Sequence, residues 1–472
     1  MRRCLLTLLR YRNPQTLTFR TMSKQTIHVD VLVPVHNASA TINETVDSAM
    51  KQVIPLHLQD YFSTRPLDVA VCCYNDGSTD DSWGKLEALK QKYEKEPSET
   101  PEVPSTLLIQ SAKQSKGAPI ARNRAAQMRA KQSVDHIFVW LDSDDTMHQH
   151  RIPEQVHALL QAPERNRMLL GSQFDRDPPD STWHYAQWAN NLSEERLMLE
   201  RYREVTVLQP TWCMLRSRFE DLGGYVETKT DPLSRFAQNG TLQLIHENET
   251  PANLRLAEDI RFIHAHLHAD GVLRVVPKKL LVYRHRAGQS QSSQTPRKLL
   301  LQLRAVAFEV NVVKKWDKFI VWGAGRDGKD FVKALSKEAR KKIVCMVDVD
   351  HKKIEAGHYY HKEMDLRIPV LHFSLLAKDA AVRDELQEAY YSQVDNARGR
   401  INKQHPNVAK AKSTEPPPRK KFKVCAVSDM DTSKLPELPV VVCVAMYRTN
   451  GVLEKNVASI DRKEGQDLWH FS

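Results

Sequence analysis

An α/β architecture in two successive units is the fold class the sequence predicts. Short apolar runs rich in β-branched residues alternate with longer polar, helix-compatible stretches, which indicates a mostly parallel sheet flanked by helices. The alternation occurs twice, first from residue 27 and again from residue 317. The apolar runs also stop abruptly in polar residues, and ligands of such sheets bind outside the carboxyl ends of the strands.

The first run, "VDVLVPV" (Val29 to Val35), is followed by His36 and Asn37. Near-continuous apolar character is what a strand covered on both faces requires. A helix-compatible stretch covers about Thr41 to Val53. "DVAVCCYNDGSTDDS" gives a second strand, Val69 to Tyr74, ending in Asn75, Asp76 and Gly77. A helical stretch runs from Ser82 to Tyr93, then "STLLIQ" gives a third strand. "GAPIARNRAAQMRAKQ" opens with Gly117 and continues as a helix. "HIFVWLDSDD" is the fourth strand, whose apolar part, Ile137 to Leu141, ends in Asp142, Ser143, Asp144 and Asp145.

The region from Arg151 to Arg286 is less regular and rich in Trp and Arg, with a helix that starts near Glu258 and Asp259. In the second unit the strand Phe319 to Trp322 leads into Gly323-Ala324-Gly325-Arg326-Asp327-Gly328, and a further strand ends in Asp348 and Asp350. GxGxxG after a strand, with an acid some twenty residues on, fits a dinucleotide fingerprint, although alone it is a weak signal. Residues 378–439 break the pattern with a basic, Pro-rich stretch that reads as a disordered insertion. The expected organisation is a leader over 1–26, a first domain over 27–290, and a Rossmann-like domain over 317–472 carrying the 378–439 insertion.

The chain has 472 residues and a formal net charge of +11, a balance that suits a polyanionic partner or an anionic substrate. Its seven cysteines are odd in number and show no CxxC spacing, which points to a reducing compartment without a disulfide framework. No stretch reaches the roughly 18 apolar residues of a membrane span. The leader has no acid before Asp30 and alternates Arg with Leu, as mitochondrial presequences do. The bland alternatives are a disordered leader or a start at Met22. A cytoplasmic protein is expected, with a mitochondrial one as the alternative; the oligomeric state is left open.

Three carboxylates within four residues repel one another and call for a positive partner. Aspartates at a strand end suit a hard divalent cation bound through oxygen, which can bridge two phosphates and neutralise a departing diphosphate. Taken alone, such aspartates more often cap the following helix. Their company favours a site: Asp76 is placed to accept from a uracil or ribose, and Arg122 and Asn123 to reach base, ribose or phosphates.

The ordered set "VLVPVHNA", "YNDGSTDDS", "GAPIARNRA" and "FVWLDSDD" resembles the family 2 glycosyltransferases of the GT-A fold, over roughly residues 27 to 290. The resemblance implies transfer of a sugar from a nucleotide sugar, usually with Mn²⁺ or Mg²⁺ and with inversion. It implies that Val35, His36, Asn37 and Asp76 hold the nucleoside, that Asp142 touches ribose or metal, and that Asp144 ligates the metal. Glu258-Asp259 is similar to the family's "ED" pair, whose Asp is the general base. His285 is similar to a histidine that completes the metal site.

A narrower resemblance, through "RDPPDST", "QPTWCMLRSRFEDLGGY", "RIPVLHFS" and "EGQDLWHFS", is to the β-1,3-N-acetylglucosaminyltransferase-like protein 1 family. It implies galactose transfer from UDP-galactose onto queuosine in tRNA-Tyr. The family's older name implies UDP-GlcNAc and a glycan or protein acceptor. Nothing at the motif level separates the donors, and a non-catalytic nucleotide-sugar or RNA-binding module is the third alternative. Basic segments attract phosphate backbones, and Trp183, Trp188 and Trp212 are either base-stacking platforms or core residues. No membrane partner is expected.

Overall fold

The structure is a computed structural model that describes residues 25–95, 103–227, 241–245, 250, 252–285, 295–404, 431–444 and 451–471, with side chains in the helix ending at 404 described up to 395. Almost all of the 1–26 leader and the "PPPRKKFK" stretch lie outside the described residues.

Eight strands form the first sheet: β1 (Ile27–Val35), β2 (Leu67–Asn75), β3 (Ser105–Ser111), β4 (Ile137–Trp140), β5 (Thr146–Met147), β6 (Met168–Asp177), β7 (Cys213–Leu215) and β8 (Val272–Arg284). Their spatial order is β3-β2-β1-β4-β7-β6-β8-β5. Strands β3, β2, β1 and β4 are mutually parallel, β6 and β8 are parallel, and β7 and β5 run antiparallel to their neighbours. The sheet is therefore parallel in its first half and mixed beyond β4.

Period-2 alternation sorts the apolar runs onto two faces. Val29, Val31, Val33 and Val35 point into one core with Val69, Val71, Cys73, Ile137 and Val139. Leu32, Ala70, Cys72, Phe138 and Trp140 point into the other. Adjacent Cys72 and Cys73 are thus on opposite faces, and both are buried free thiols. Each fully buried Val or Leu contributes about 1.5–3 kcal/mol relative to exposure, which fixes the register against a one-residue slip.

That register aligns the strand tips. Val35 pairs with Asn75 and Asn75 with Ser111, while Leu32 pairs with Trp140, so the polar residues that follow β1, β2 and β4 emerge at one edge. Strand order reverses between β1 and β4, and the crevice at such a switch point, here on the side of Asn37 and Asp142, is where sheets of this type bind ligands.

The 151–286 stretch is more regular than its sequence suggests, because β6 and β8 form a long parallel pair. Register shifts at Ser172 and Gln173, near Pro277 of β8, break the alternation that would have marked it.

The second sheet contains β9 (Phe319–Trp322), β10 (Ile343–Asp348), β11 (His358–His361), β12 (Leu366–His372), β13 (Val440–Val442) and β14 (Leu468–His470), in the order β11-β12-β10-β9-β13-β14. Apart from the antiparallel β11 this is the Rossmann-type order. The expected disorder across 378–439 is corrected over Ala380–Gln404, which is one helix of 25 residues. Its Ala, Glu, Gln and Arg content favours helix, but its apolar residues are too scattered to show a clear period. Tyr390 and Val394 still bury into a core shared by both units, alongside Tyr202, Ile260, Phe308 and Trp469.

Candidate functional site

The loops after β1 and β2 are stitched together by side chains. Asn37 adopts φ 50°, a left-handed conformation that Asn tolerates. Its Oδ1 accepts from the Thr79 N–H at 2.8 Å, its own N–H donates to Ser78 Oγ at 3.0 Å, and His36 Nδ1 lies 3.0 Å from the Asp76 carbonyl. Val35 is buried beneath them, and its carbonyl accepts from the Asp76 N–H at 2.8 Å.

Asp76 is 2% exposed and serves as a clamp. Its Oδ2 accepts from Ser115 Oγ at 2.8 Å and from the N–H groups of Lys116 and Gly117 at 2.9 and 2.7 Å, and Oδ1 accepts from Lys116 N–H at 3.0 Å. These bonds fasten the 115–117 turn, from which helix Ala118–Ala125 departs. Gly77, at φ 64°, makes the clamp possible, since a Cβ there would stand 2.6 Å from the backbone carbon of Gln114. Gly77→Ala is expected to destabilise the fold by about 1–3 kcal/mol, as read by thermal unfolding.

The positive partner demanded by the acidic tip is Arg122. The residue is 4% exposed, its Nη2 is 2.7 Å from Asp142 Oδ1, and its Nη1 is 2.6 Å from Glu258 Oε1. Burial alone would lower its pKa, but the charges of Asp142 and Glu258 prevail and raise it. One buried guanidinium therefore latches the β4 tip to the helix Glu258–His268. It is not a solvated helix charge: it is 4% exposed and two of its nitrogens are held by carboxylates, while its Nε is left without a partner.

Asn123 is likewise committed within the protein. Its Nδ2 donates to the Tyr225 carbonyl and to Glu227 Oε1, each at 2.9 Å, and its Oδ1 accepts from Tyr225 N–H at 2.9 Å. Its donors and acceptor fasten residues 225–227, so its place in the structure is beside that segment. A cavity of about 490 Å³ lies beside it, lined by Asn123, Phe138, Tyr225 and Glu258, and no strand-tip residue lines it.

The acidic tip is pinned from below. Thr41 and Thr45, one turn apart, donate their hydroxyls to the Ser143 carbonyl at 2.9 and 3.0 Å, and Thr45 also reaches the Asp145 carbonyl at 2.8 Å. Asp145 is fully buried and accepts from the Arg284 N–H at 2.9 Å, joining the tip to the end of β8. His285 follows immediately, its N–H bonded to the Asp177 carbonyl at 2.7 Å. Burial, then the charges of Asp144 and Asp142, push the Asp145 carboxyl well above the usual range.

Asp142, Asp144 and His285 were expected to form a three-ligand ion site. Among the described residues no group of three or more His, Cys, Asp and Glu converges to hold an ion. Asp142 gives one oxygen to Arg122, and the Arg284 and His285 N–H groups donate to Asp145 Oδ1 and to the Asp177 carbonyl. The donor chemistry still fits a hard cation: the tip offers carboxylate oxygens, and Asp145 Oδ2 is buried without a partner.

Glu258 and Asp259 divide their roles. Glu258 is 8% exposed and spent on Arg122. Asp259 is half-buried, its Oδ1 accepting from the Ile260 N–H at 2.8 Å. Burial, then the neighbouring Glu258 charge, pushes Asp259 up to about 7, where a carboxylate is poised as a general base. The residue before the pair, Ala257, adopts φ 54°, a strained conformation for alanine that sets how the helix is entered.

Of the three candidate stacking tryptophans, Trp212 is fully buried against Trp140 and Phe262. Trp188 donates from Nε1 to Glu200 at 2.7 Å, and Trp183 is 49% exposed. In the second unit, Gly328 lies so close to the Gly323 carbonyl that a Cβ would meet it at 1.8 Å. Asp348 accepts from the N–H groups of Ala324, Val349 and Asp350 at 2.7–2.9 Å and from Lys353 at 3.0 Å. Four donors fill the roughly four sites of a carboxylate, which leaves little for a ribose hydroxyl.

Residues 30–223 match the family described as Glycosyl transferase family 2. That stretch, less than half of the 472 residues, is similar to the family 2 glycosyltransferases. Among solved structures, it is similar to S. aureus TarS 1-349 in complex with UDP-GlcNAc, at 16% identity and a TM-score of 0.38, covering 66% of this chain and 71% of that one. A crystal structure of S. aureus TarS gives 14% identity and a TM-score of 0.39, covering 67% of this chain and 51% of that one.

Proposed function

We propose that this protein is an inverting UDP-sugar transferase that moves galactose from UDP-galactose onto queuosine in the anticodon of tRNA-Tyr, in the cytoplasm. The observation that supports this reading most is the Arg122 latch, which ties the Asp142 tip and the Glu258–Asp259 pair to one guanidinium across the switch-point crevice. The loops carrying Val35, His36, Asn37 and Asp76 shape the nucleoside end. Asp259 takes the proton from the acceptor hydroxyl as its oxygen bonds to the anomeric carbon. The bond from that carbon to the diphosphate breaks, and UDP leaves with the electron pair. Asp144, with Asp142 and His285, would hold a Mn²⁺ or Mg²⁺ ion, and such an ion would supply charge neutralisation at the leaving diphosphate.

The net charge of +11 and the exposed Trp183 suit a nucleic-acid acceptor. Among the described residues no helix is long and apolar enough to cross a membrane. The second unit, with Asp348 committed to its own backbone, acts here without a dinucleotide.

Incubating the protein with UDP-galactose or UDP-GlcNAc, Mn²⁺ and queuosine-containing tRNA, followed by nucleoside mass analysis, tests the proposal. A hexose added to queuosine from UDP-galactose is the expected product. Transfer only from UDP-GlcNAc, or none to tRNA, rejects it. In the same assay Asp144→Ala is expected to lose the gain in UDP affinity that Mn²⁺ confers, about tenfold or more for a lost ligand carboxylate. Wild-type UDP affinity that ignores Mn²⁺ removes the ion from the scheme.

A further inference from the structure

The last residues of the chain reach back into the transferase unit. Glu464 Oε2 is 2.6 Å from Arg196 Nη1 on the helix Glu194–Leu199, and Gly465 sits so close that a Cβ there would lie 2.7 Å from Leu199. Arg196 in turn holds Glu200 at 2.6 Å, and Glu200, 6% exposed, also accepts from Trp188 Nε1 at 2.7 Å and Arg203 at 2.9 Å. Trp469 is 6% exposed and meets Tyr202 edge-on at 5.5 Å, with the Arg201 guanidinium 4.8 Å above its ring.

Both lines of contact end beside Asp259. Tyr202 stacks on His264, with ring centroids 5.5 Å apart and planes 8° from parallel, and His264 lies on the helix that begins at Glu258. Trp188 shares the helix Trp183–Asn190 with Tyr185, whose hydroxyl donates to the Val205 carbonyl at 3.0 Å. Glu204, just before Val205, is one of the carboxylates that raise Asp259, and Tyr185 in turn feels the Asp259 charge.

We infer that residues 464–471 are a working part of the transferase site, with Glu464 and Trp469 as positioning residues that hold both segments flanking Asp259, the helix Glu258–His268 and residues 194–206. This rests on the reading of Asp259 as the base. A buttress of this kind keeps the half-buried carboxylate aimed and limits its contact with water, and loss of about an ångström of placement is enough to slow transfer by orders of magnitude. Among the described residues, the titratable groups that interact most with Asp259 are Glu258, Glu204, Tyr185 and Arg122. None of them belongs to the C-terminal segment, so that segment acts only through position.

Full-length Trp469→Ala, Trp469→Phe and Glu464→Gln test the inference by three readouts: UDP affinity, UDP release from UDP-galactose with queuosine-containing tRNA against pH, and amide exchange. For Trp469→Ala the expectation is near-wild-type UDP affinity and a kcat lower by about tenfold or more. Its acid limb moves from near pH 7 towards the ordinary carboxylate range as water enters, and Trp469→Phe restores most of the rate. Amide exchange is expected to rise in Glu258–His268 and 194–206 but not in the β1 strand. Wild-type kcat, pH limb and exchange in both Trp469→Ala and Glu464→Gln overturn the inference. If Trp469→Ala does not fold, Glu464→Gln and Trp469→Phe decide by the same readouts. Asp259→Asn with a wild-type rate defeats the base assignment instead, and the exchange arms then still decide whether the segment holds these elements.

Discussion

Asp259→Asn is expected to bind UDP as the wild type does and to lose sugar transfer by about 10²–10⁴-fold, the usual worth of a positioned general base. Asparagine keeps the shape and the Ile260 N–H contact but accepts no proton, so the loss falls on kcat. A second consequence follows from the raised pKa alone, whatever the residue's part in transfer. The native state holds the Asp259 proton up to about pH 7, whereas the unfolded chain releases it near pH ~4. The unfolded state therefore binds fewer protons across that window, and this group's contribution to stability falls as pH rises through it. Removing the charge removes the cost. Asp259→Asn should melt above wild type at pH ~8, with the difference closing towards pH ~4. Wild-type turnover in the variant would move the base elsewhere, and Glu258 is poorly placed to replace it while bound to Arg122.

Arg122→Met is expected to be the most disruptive single change at the site. It leaves Asp142 and Glu258 without their shared counter-charge, and breaking a buried pair in this way costs about 3–5 kcal/mol. The loss should appear in thermal unfolding and in UDP affinity together, because the β4 tip and the Glu258 helix separate. Arg122→Lys keeps the charge but not the fork that reaches both carboxylates at once, so it should fall between the two. Adding Glu258→Met to Arg122→Met should recover part of the lost stability, since an apolar replacement of a buried ion network is often tolerated. Additive losses in the double variant would show that Arg122 and Glu258 act independently.

The parallel half of the sheet was legible because buried strands write continuous β-branched runs, and because polar residues stop them where the sheet ends. This placed Asn37, Asp76 and Asp142 at one edge without any structure. The mixed half was harder to read, since bulges at Ser172 and Gln173 and the proline in β8 erase its alternation.

The partners of the site residues left almost no trace. Arg122 looks like any helix arginine until it is seen buried between Asp142 and Glu258. Thr41 and Thr45 gave only a faint sign, two hydroxyls one turn apart on the helix after β1. Asp145 is indistinguishable in sequence from its two acidic neighbours, yet it alone is fully buried and tied to β8. The shared core of Tyr202, Ile260 and Trp469 joins residues far apart in the chain, and no local period records such contacts.

The most direct test of the account is kcat/KM for UDP release from UDP-galactose, with queuosine-containing tRNA as acceptor, measured from pH ~5 to pH ~9 in wild type and Asp259→Asn. The prediction is a wild-type rate that rises through one ionisation near pH 7 and an Asp259→Asn rate that stays low without that limb. A wild-type profile flat across this range, or an Asp259→Asn profile that keeps the limb, would contradict the assignment of Asp259 as the base.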